Sequence, residues 1–546
     1  MSKRFLAAMF AAMIGATALS SCGGNGQTSS DDSGKDSTPS SSSASTPVGE
    51  DYVPTFPIVE EPVTFTAATS FENMPKTIWN EAYAEATNVN IEWNYWSDWE
   101  TQLGIAMAGD SLPDFVFALG LAGIDKAGIE QYGKAGSLVE YGQYLNMMPN
   151  VSSLFEQYPE SRIACANEDG TLYGLPGYLE TLTAYPGTVY FREDMFKEAG
   201  VSEPKTTDEL LDAVKKLQEY YGTKDPEFVA LLPYSVGHLT GQLRYALFPS
   251  FGDAVDLGMT SVDSKTVTDT RVSDQYRHLV EYMHELYTSG GFYQNIFSED
   301  GTNVKPMILA DKCAITTFGT MYSRDNFESG NYDVGMLQPL TSEYSSEPKY
   351  AKPYNSHLNA SFISSKCKDV ETLIKWVDAL YAPVDKPIAE GVSSITMWLG
   401  VKGENWEYDD DTQTTFSIKV PEDYDGAGTN WLSEFGCSNA YNCIFMGINN
   451  GSDGQICKGT GTRDKLLPYA VSVFPSAYFT FTSEEATRIS ELSTDINTYF
   501  NENFASFMIN GVSDDEWNKY VSQMEKMGLP EMIELYQAAY DRYLAS

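Results

Sequence analysis

Apolar and polar positions change period repeatedly near the start of the patterned part of the chain. Val63-Thr-Phe-Thr-Ala67 alternates in a β-branched run, the period-two signature of a strand. Ile78, Trp79, Ala82, Tyr83 and Ala86 then recur at helical spacing, predicting a helix over Met74–Thr87. Alternation returns at Val89, Ile91, Trp93 and Tyr95 and predicts a strand over Val89–Trp96, followed by a helix over Asp98–Ala108. Asp114-Phe-Val-Phe-Ala118 is a short apolar run of the buried-strand kind. Strands and helices alternating at this spacing imply crossover units and a parallel sheet, so this end of the chain reads as an α/β fold.

The same style continues. Thr188–Phe191 reads as a strand, and Thr206-Thr-Asp-Glu209 as a capping box opening a helix with Leu210, Leu211, Val214 and Leu217 on one face. Further helices are predicted over Tyr276–Tyr287 and Asp369–Leu380, with a strand-like apolar run over Cys313–Phe318 between them. The C-terminal part reads as helical: Ser483 to about Met508, then a capping box at Ser513–Glu516 before Trp517–Met527, then a last helix from Pro530. No internal repeat is present.

The first 60 residues break this pattern. Lys3 and Arg4 precede an apolar run, Phe5 to Leu19, too short for the roughly 20 residues of a comfortable membrane span. It ends in Leu19-Ser-Ser-Cys22, which resembles a bacterial lipobox. That likeness implies a signal peptide over 1–21 and acylation of the Cys22 thiol. The Gly-, Ser-, Thr- and Asp-rich stretch that follows, assigned with Cys22 to 22–60, cannot bury a core and reads as a flexible tether.

Acids outnumber bases 76 to 35, for a formal net charge of −41. Such a body repels phosphate backbones, which disfavours nucleic acid as a partner. Six cysteines remain beside Cys22: Cys165, Cys313, Cys367, Cys437, Cys443 and Cys457. A local bridge among the last three and six free thiols are both open. Asp409, Asp410 and Asp411 are consecutive and lack the alternate-residue spacing of a calcium loop, and Asn449–Gly454 reads as a loop at which bound calcium stays open. No zinc spacing, GxSxG elbow, P-loop or HExxH is found, so no cofactor, metal or catalytic residue is expected.

Four segments carry a resemblance. Ser111-Leu-Pro-Asp-Phe115 is similar to the entry to a third strand, and Asp169-Gly-Thr-Leu-Tyr-Gly-Leu-Pro176 to a "DGKxYGLP" segment. Val189-Tyr-Phe-Arg-Glu-Asp-Met-Phe-Lys-Glu-Ala-Gly-Val201 with Glu203–Leu210 is similar to "YYRKDLFEKAGLxxPKTxDEL", and Asp514–Tyr520 through Gly528–Tyr536 to a C-terminal signature. In this order they resemble the family 1 extracellular solute-binding proteins, the receptor components of ABC importers, in their larger lipoprotein branch. The resemblance implies an α/β fold of two periplasmic-binding-protein-like lobes joined by a hinge, with a helical C-terminal region. It places the first lobe at 61–180 and 354–384 and the second at 181–353 and 385–546. It also implies a carbohydrate ligand, an oligosaccharide captured in the cleft between the lobes and delivered to permease subunits, attachment to the membrane through the lipid alone, and a monomer on the outer face of the cell.

A sugar offers apolar faces and hydroxyls, so aromatics and carboxylates at strand ends are the candidate contacts. Ser70, Phe71 and Glu72 follow the first strand, and Trp96, Asp98 and Trp99 the second. Tyr178 and Glu180 lie in the first crossing region. Tyr322 follows the Cys313–Phe318 run, where relatives carry an aromatic nearer the glycine. Trp398 and Trp406 flank Gly400-Val-Lys-Gly403, similar to a "GxEG" turn with Lys402 in place of the acid, and with Trp431 they resemble loop aromatics of the second lobe. Two other classes fit the composition: a surface glycoside hydrolase, which needs two carboxylates roughly 5–10 Å apart, and an oligopeptide receptor.

Overall fold

The structure is a computed structural model. It describes residues 50–118, 124, 126–167, 169–182, 185–318, 334–359, 361–422, 442–450 and 453–545.

Period-two alternation builds the first sheet where expected. β1 (Val63–Thr69) is followed by helix α1 (Ile78–Thr87), β2 (Val89–Tyr95), helix α2 (Trp99–Ala108) and β3 (Phe115–Phe117). β1 pairs in parallel with β2 from Val63 opposite Val89 to Thr69 opposite Tyr95, and with β3 through Ala67 opposite Phe115. Asp114 of the strand-entry segment ties the two strands together: its Oδ2 accepts from the Thr66 amide and hydroxyl, both at 2.9 Å. Helices α3 (Lys126–Lys134), α4 (Pro149–Gln157) and α5 (Pro159–Cys165) complete the run before β4 (Pro176–Thr181). The Asp169 turn closes on itself, with Oδ1 accepting from the Thr171 amide at 3.1 Å.

The second sheet is built from β5 (Tyr190–Arg192), β6 (Leu231–Leu232), β7 (Ile315–Thr316) and β8 (Val334–Met336). β6 and β7 are parallel, while β5 runs antiparallel to β7 and β8. Between them come α6 (Glu193–Ala199), α7 (Thr207–Gly222) and α8 (Asp274–Thr288). Gly200 closes α6 with φ +69°, a left-handed cap that favours glycine. Thr206 caps α7 by accepting from the Glu209 amide, but Glu209 reaches back to the Lys205 amide rather than to Thr206, so the expected box is only half formed.

The chain then returns. β9 (Tyr350–Lys352), β10 (Ser356–Leu358) and β11 (Ser361–Ile363) precede helix α9 (Val370–Ala379). β11 adds to the first sheet antiparallel to β3, and β10 pairs with β4. Trp376 of α9 enters the first core, its ring 5.4 Å from Tyr83 and 5.8 Å from Phe115. Asp378 on the same helix is buried and accepts from the Val151 amide at 2.9 Å and from the Asn150 side chain at 3.0 Å, at the start of α4. Two cores result. One joins residues from Phe65 to Tyr178 with Leu358 to Val401 and Tyr478, and the other joins Val189 to Leu340 with Leu492 to Met532.

After α9 come α10 (Asp453–Gly461), α11 (Ser483–Asn510), α12 (Asp514–Lys526) and α13 (Leu529–Ala545). The capping box at Ser513 and Glu516 forms in full. Phe500, Phe504, Trp517, Tyr520 and Met524 pack into the second core. Cys165, Cys367 and Cys457 carry free thiols, so no bridge includes Cys457; its Sγ instead donates to the Val334 carbonyl at 3.2 Å. Cys437 lies outside the described residues.

Candidate functional site

The parallel strands of the first sheet end side by side, and their loops are tied together. The Trp96 amide donates to the Thr69 carbonyl at 3.0 Å, and the Phe71 amide to the Thr69 hydroxyl at 3.1 Å. Ser70, Phe71 and Glu72 therefore share one carboxyl edge with Trp96, Asp98 and Trp99. The Trp96 and Trp99 rings lie 5.5 Å apart at 40°. Trp99 is buried in the first core, whereas Trp96 and Phe71 are half-buried against it. Glu72 and Asp98 are exposed. Asp98 precedes α2 without its side chain bonding to the helix, which leaves that carboxylate open to a ligand hydroxyl.

Tyr178 and Glu180 stand on β4, whose neighbours are β10 and the parallel strand Asn442–Phe445. The buried Tyr178 hydroxyl donates to Glu180 Oε2 at 3.3 Å, and the Lys352 ammonium donates to Oε1 at 3.3 Å. The Tyr158 ring lies 4.3 Å from that of Tyr178. Burial, then the Glu180 charge, raises the Tyr178 hydroxyl far above the ordinary tyrosine value. The same two causes push Tyr185 up to about 12, and its buried hydroxyl has no hydrogen-bond partner among the described residues. Both phenols therefore stay protonated donors beside a carboxylate, as hydroxyl recognition requires.

A third cluster was not anticipated from the sequence. β6 and β7 end at Leu232 and Thr316, and the aromatics just beyond them, Tyr234 and Phe318, stack with centroids 4.4 Å apart at 18°. His238 meets both edge-on, at 5.0 and 5.4 Å. The Tyr234 amide donates to the Thr317 hydroxyl at 3.1 Å, locking the two loops together, and Ser235 Oγ lies 3.0 Å from His238 Nδ1. Burial, and next the charge of Lys458, lowers the His238 pKa. The signal in the sequence was slight: a short apolar run, Leu231-Leu-Pro233, directly followed by an aromatic.

Trp398 and Trp406 sit elsewhere than expected. Trp406 is fully buried, and with Val384, Leu399 and Phe416 it forms the small core of a β unit. Ile78 of α1 packs against that core, so the unit rests on the first lobe rather than on the second. Trp398 is half-buried beside Phe416. Cys22, Tyr322 and Trp431 lie outside the described residues. Among the described residues no group of three His, Cys, Asp or Glu side chains is placed to hold a metal ion.

Two α/β lobes on separate cores, threaded by a chain that leaves the first and returns to it, form the two-lobed fold of periplasmic-type binding proteins, in which ligands lie beyond strand carboxyl ends. Residues 68–387 match the model of the bacterial extracellular solute-binding proteins, and the chain belongs to that family. It is 24% identical over 489 residues, 84% of this chain and 86% of the relative, to the fructooligosaccharide ABC transporter substrate-binding protein FusA of Streptococcus pneumoniae. The structure of a FusA EF-hand mutant with fructo-nystose superposes with a TM-score of 0.66 at 20% identity, covering 88% of this chain and all of that one. An "HMO binding" ABC-transporter-associated solute-binding protein of Bifidobacterium longum infantis also gives 0.66, at 17% identity, covering 89% and 99%.

Proposed function

We propose that this chain is the capture component of an ABC importer, tethered outside the cell by lipid on Cys22, and that it binds an oligosaccharide between its lobes without altering it. The observation that carries this reading is the placement of aromatic rings and open carboxylates together at strand carboxyl edges, around Trp96 and Asp98 in the first lobe. Tyr234 and Phe318 supply the matching rings in the second. Rings take the apolar faces of sugar units and carboxylates take their hydroxyls. The similarity to FusA over most of both chains supports the ligand class. In this reading 61–180 and 354–384 make the first lobe, and the packing of Ile388, Ile395, Met397 and Val401 on its core supports extending that return segment to about residue 401. The remainder makes the second lobe, the body acts as a monomer, and the closed form is what the permease subunits recognise.

Titration calorimetry of the mature chain against fructo-, milk- and plant-type oligosaccharides, with chromatography of the recovered sugar, tests this. Binding of at least one oligosaccharide recovered intact is expected. Multiple turnovers abolished by one carboxylate substitution would move the assignment to a hydrolase, and binding of peptides alone would move it to a peptide receptor.

A further inference from the structure

The second core encloses a cation that sugar capture does not use. Arg244 lies in the helical run Val236–Phe251, directly after a π-helical turn over Leu239–Leu243. Such single π turns recur at functional sites. Arg244 is only 9% exposed. Its Cζ lies 5.0 Å from the centre of the Phe500 ring and 4.6 Å from that of Phe504, one turn apart on α11.

The two rings offset part of the charge, but they accept no conventional hydrogen bond. A guanidinium presents five N–H donors in a planar fork and stays charged. The Arg244 Nε and Nη1 are buried and meet no acceptor among the described residues. Burial lowers the Arg244 pKa, with the Tyr276 and Tyr520 phenols opposing.

The groups around the same rings differ in how far they are satisfied. Arg271 has its Cζ 5.7 Å from the Phe500 ring. Its Nε and Nη2 donate to Asp269, and its Nη1 donates to Asn497 at 2.7 Å. The Tyr520 hydroxyl donates to the Arg271 carbonyl at 3.0 Å. Tyr276 is fully buried with its ring 5.2 Å from Phe500, and its hydroxyl has no hydrogen-bond partner among the described residues. Arg244 and Tyr276 therefore bring three unengaged polar atoms to one ring. Buried polar groups are almost always paired, and a buried charge is costly unless it is paired. A set of donors with one positive charge calls for an acceptor with a negative one. The enclosure by Phe500, Phe504 and Tyr276 favours a small ion over a large one.

We propose that Arg244 and Tyr276 form a binding site for a small inorganic anion, with chloride as the simplest case, inside the second lobe. Arg244 Nε and Nη1 donate to the ion, and the Tyr276 hydroxyl supplies a further donor. The ion ties the Val236–Phe251 run to α8 and α11, and so braces the run whose first turn carries His238 of the ring cluster.

The test uses the mature full-length chain without sugar. Its melting temperature is measured in potassium chloride, potassium bromide and potassium gluconate at equal ionic strength, so that screening is held constant. Chloride and bromide should raise it by at least about 2 °C over gluconate, and the rise should saturate with concentration as binding to a folded-state site does. Arg244→Met should lose this halide dependence, and Tyr276→Phe should weaken it. Crystals grown in bromide should show an anomalous peak beside Arg244 Nε and Nη1, a result that needs no variant to fold. Melting temperatures equal in all three salts, or a halide effect undiminished in Arg244→Met, overturn the proposal. An ordered water in place of bromide also overturns it. A bromide peak without any halide effect in solution means an adventitious ion only and overturns it too.

Discussion

The Lys352 ammonium lies 3.3 Å from the Glu180 carboxylate, although the two residues are 172 positions apart. Glu180 stands on β4 and Lys352 on β9, each in a stretch of chain between residues of one core and residues of the other. The pair is partly exposed and contributes little to stability by itself, about 0–1 kcal/mol. Its value is positional, because it fixes a carboxylate at the junction where the chain passes between lobes.

Glu180→Ala should therefore leave the melting temperature nearly unchanged and weaken ligand affinity about tenfold or more. A charge-assisted hydrogen bond is worth on the order of 1.5–3 kcal/mol, and 1.4 kcal/mol is a factor of ten. Calorimetry with the identified sugar reads the effect. Affinities unchanged in Glu180→Ala, Trp96→Ala and Trp99→Ala alike would sink the placement of the site.

Trp96 and Trp406 should behave oppositely. Trp96→Ala removes a half-buried ring at a strand edge, so affinity should fall while the fold holds. Trp406→Ala empties the small core beside Phe416 and Leu399, at about 3–5 kcal/mol, and should appear as a lowered denaturation midpoint. A Trp406→Ala protein of normal stability would show that the ring is not a core element.

Cys22→Ser should block acylation and release the protein into the medium. Fractionation of cells expressing the variant checks this, and retention in salt-washed membranes would refute the lipid anchor.

Burial raises the Asp378 carboxyl to about 7, against the opposing pull of the Val151 and Asn150 amides. The folded pKa lies above the unfolded one, so the folded state holds the proton more tightly. This contribution to stability is full below about pH 4 and is lost as pH rises through about 7. The loss is on the order of a few kcal/mol. Asp378→Asn should flatten the fall in stability over that window. Parallel wild-type and variant curves from chemical denaturation would rule the mechanism out.

Legibility in the sequence tracked the range of the contacts involved. β1, α1, β2, α2 and β3 were readable because each has a clear local period; their ends are off by a residue or two, except that α1 starts at Ile78, four residues after the expected Met74, where Met74–Lys76 forms a separate 3-10 turn. Ser70–Glu72 and Trp96–Trp99 were placed at strand ends for the same reason, and parallel pairing brought them to one edge. Trp406 was misread because its packing partners Val384, Leu399 and Phe416 come from separate turns, while its Gly-rich neighbourhood looks exposed. Tyr234 and Phe318 escaped notice because they meet only when β6 and β7, distant in sequence, pair. The half-formed box at Thr206 shows the limit of motif reading: the spacing was right, but Glu209 found a nearer amide.

The first core includes Phe362, Ile374 and Trp376, contributed long after β3 has been laid down. The second core likewise awaits Phe504, Trp517 and Met532 near the end of the chain. A chain emerging N-terminus first thus cannot finish either lobe early. The Phe115–Phe117 edge stays uncovered until β11 arrives, and closing such distant segments is slow. The topology keeps the emerging polypeptide pliable until nearly all of it has appeared, then lets the first lobe consolidate before the second. Such delayed consolidation follows from building each lobe out of segments far apart in sequence, whose contacts can form only after both segments exist.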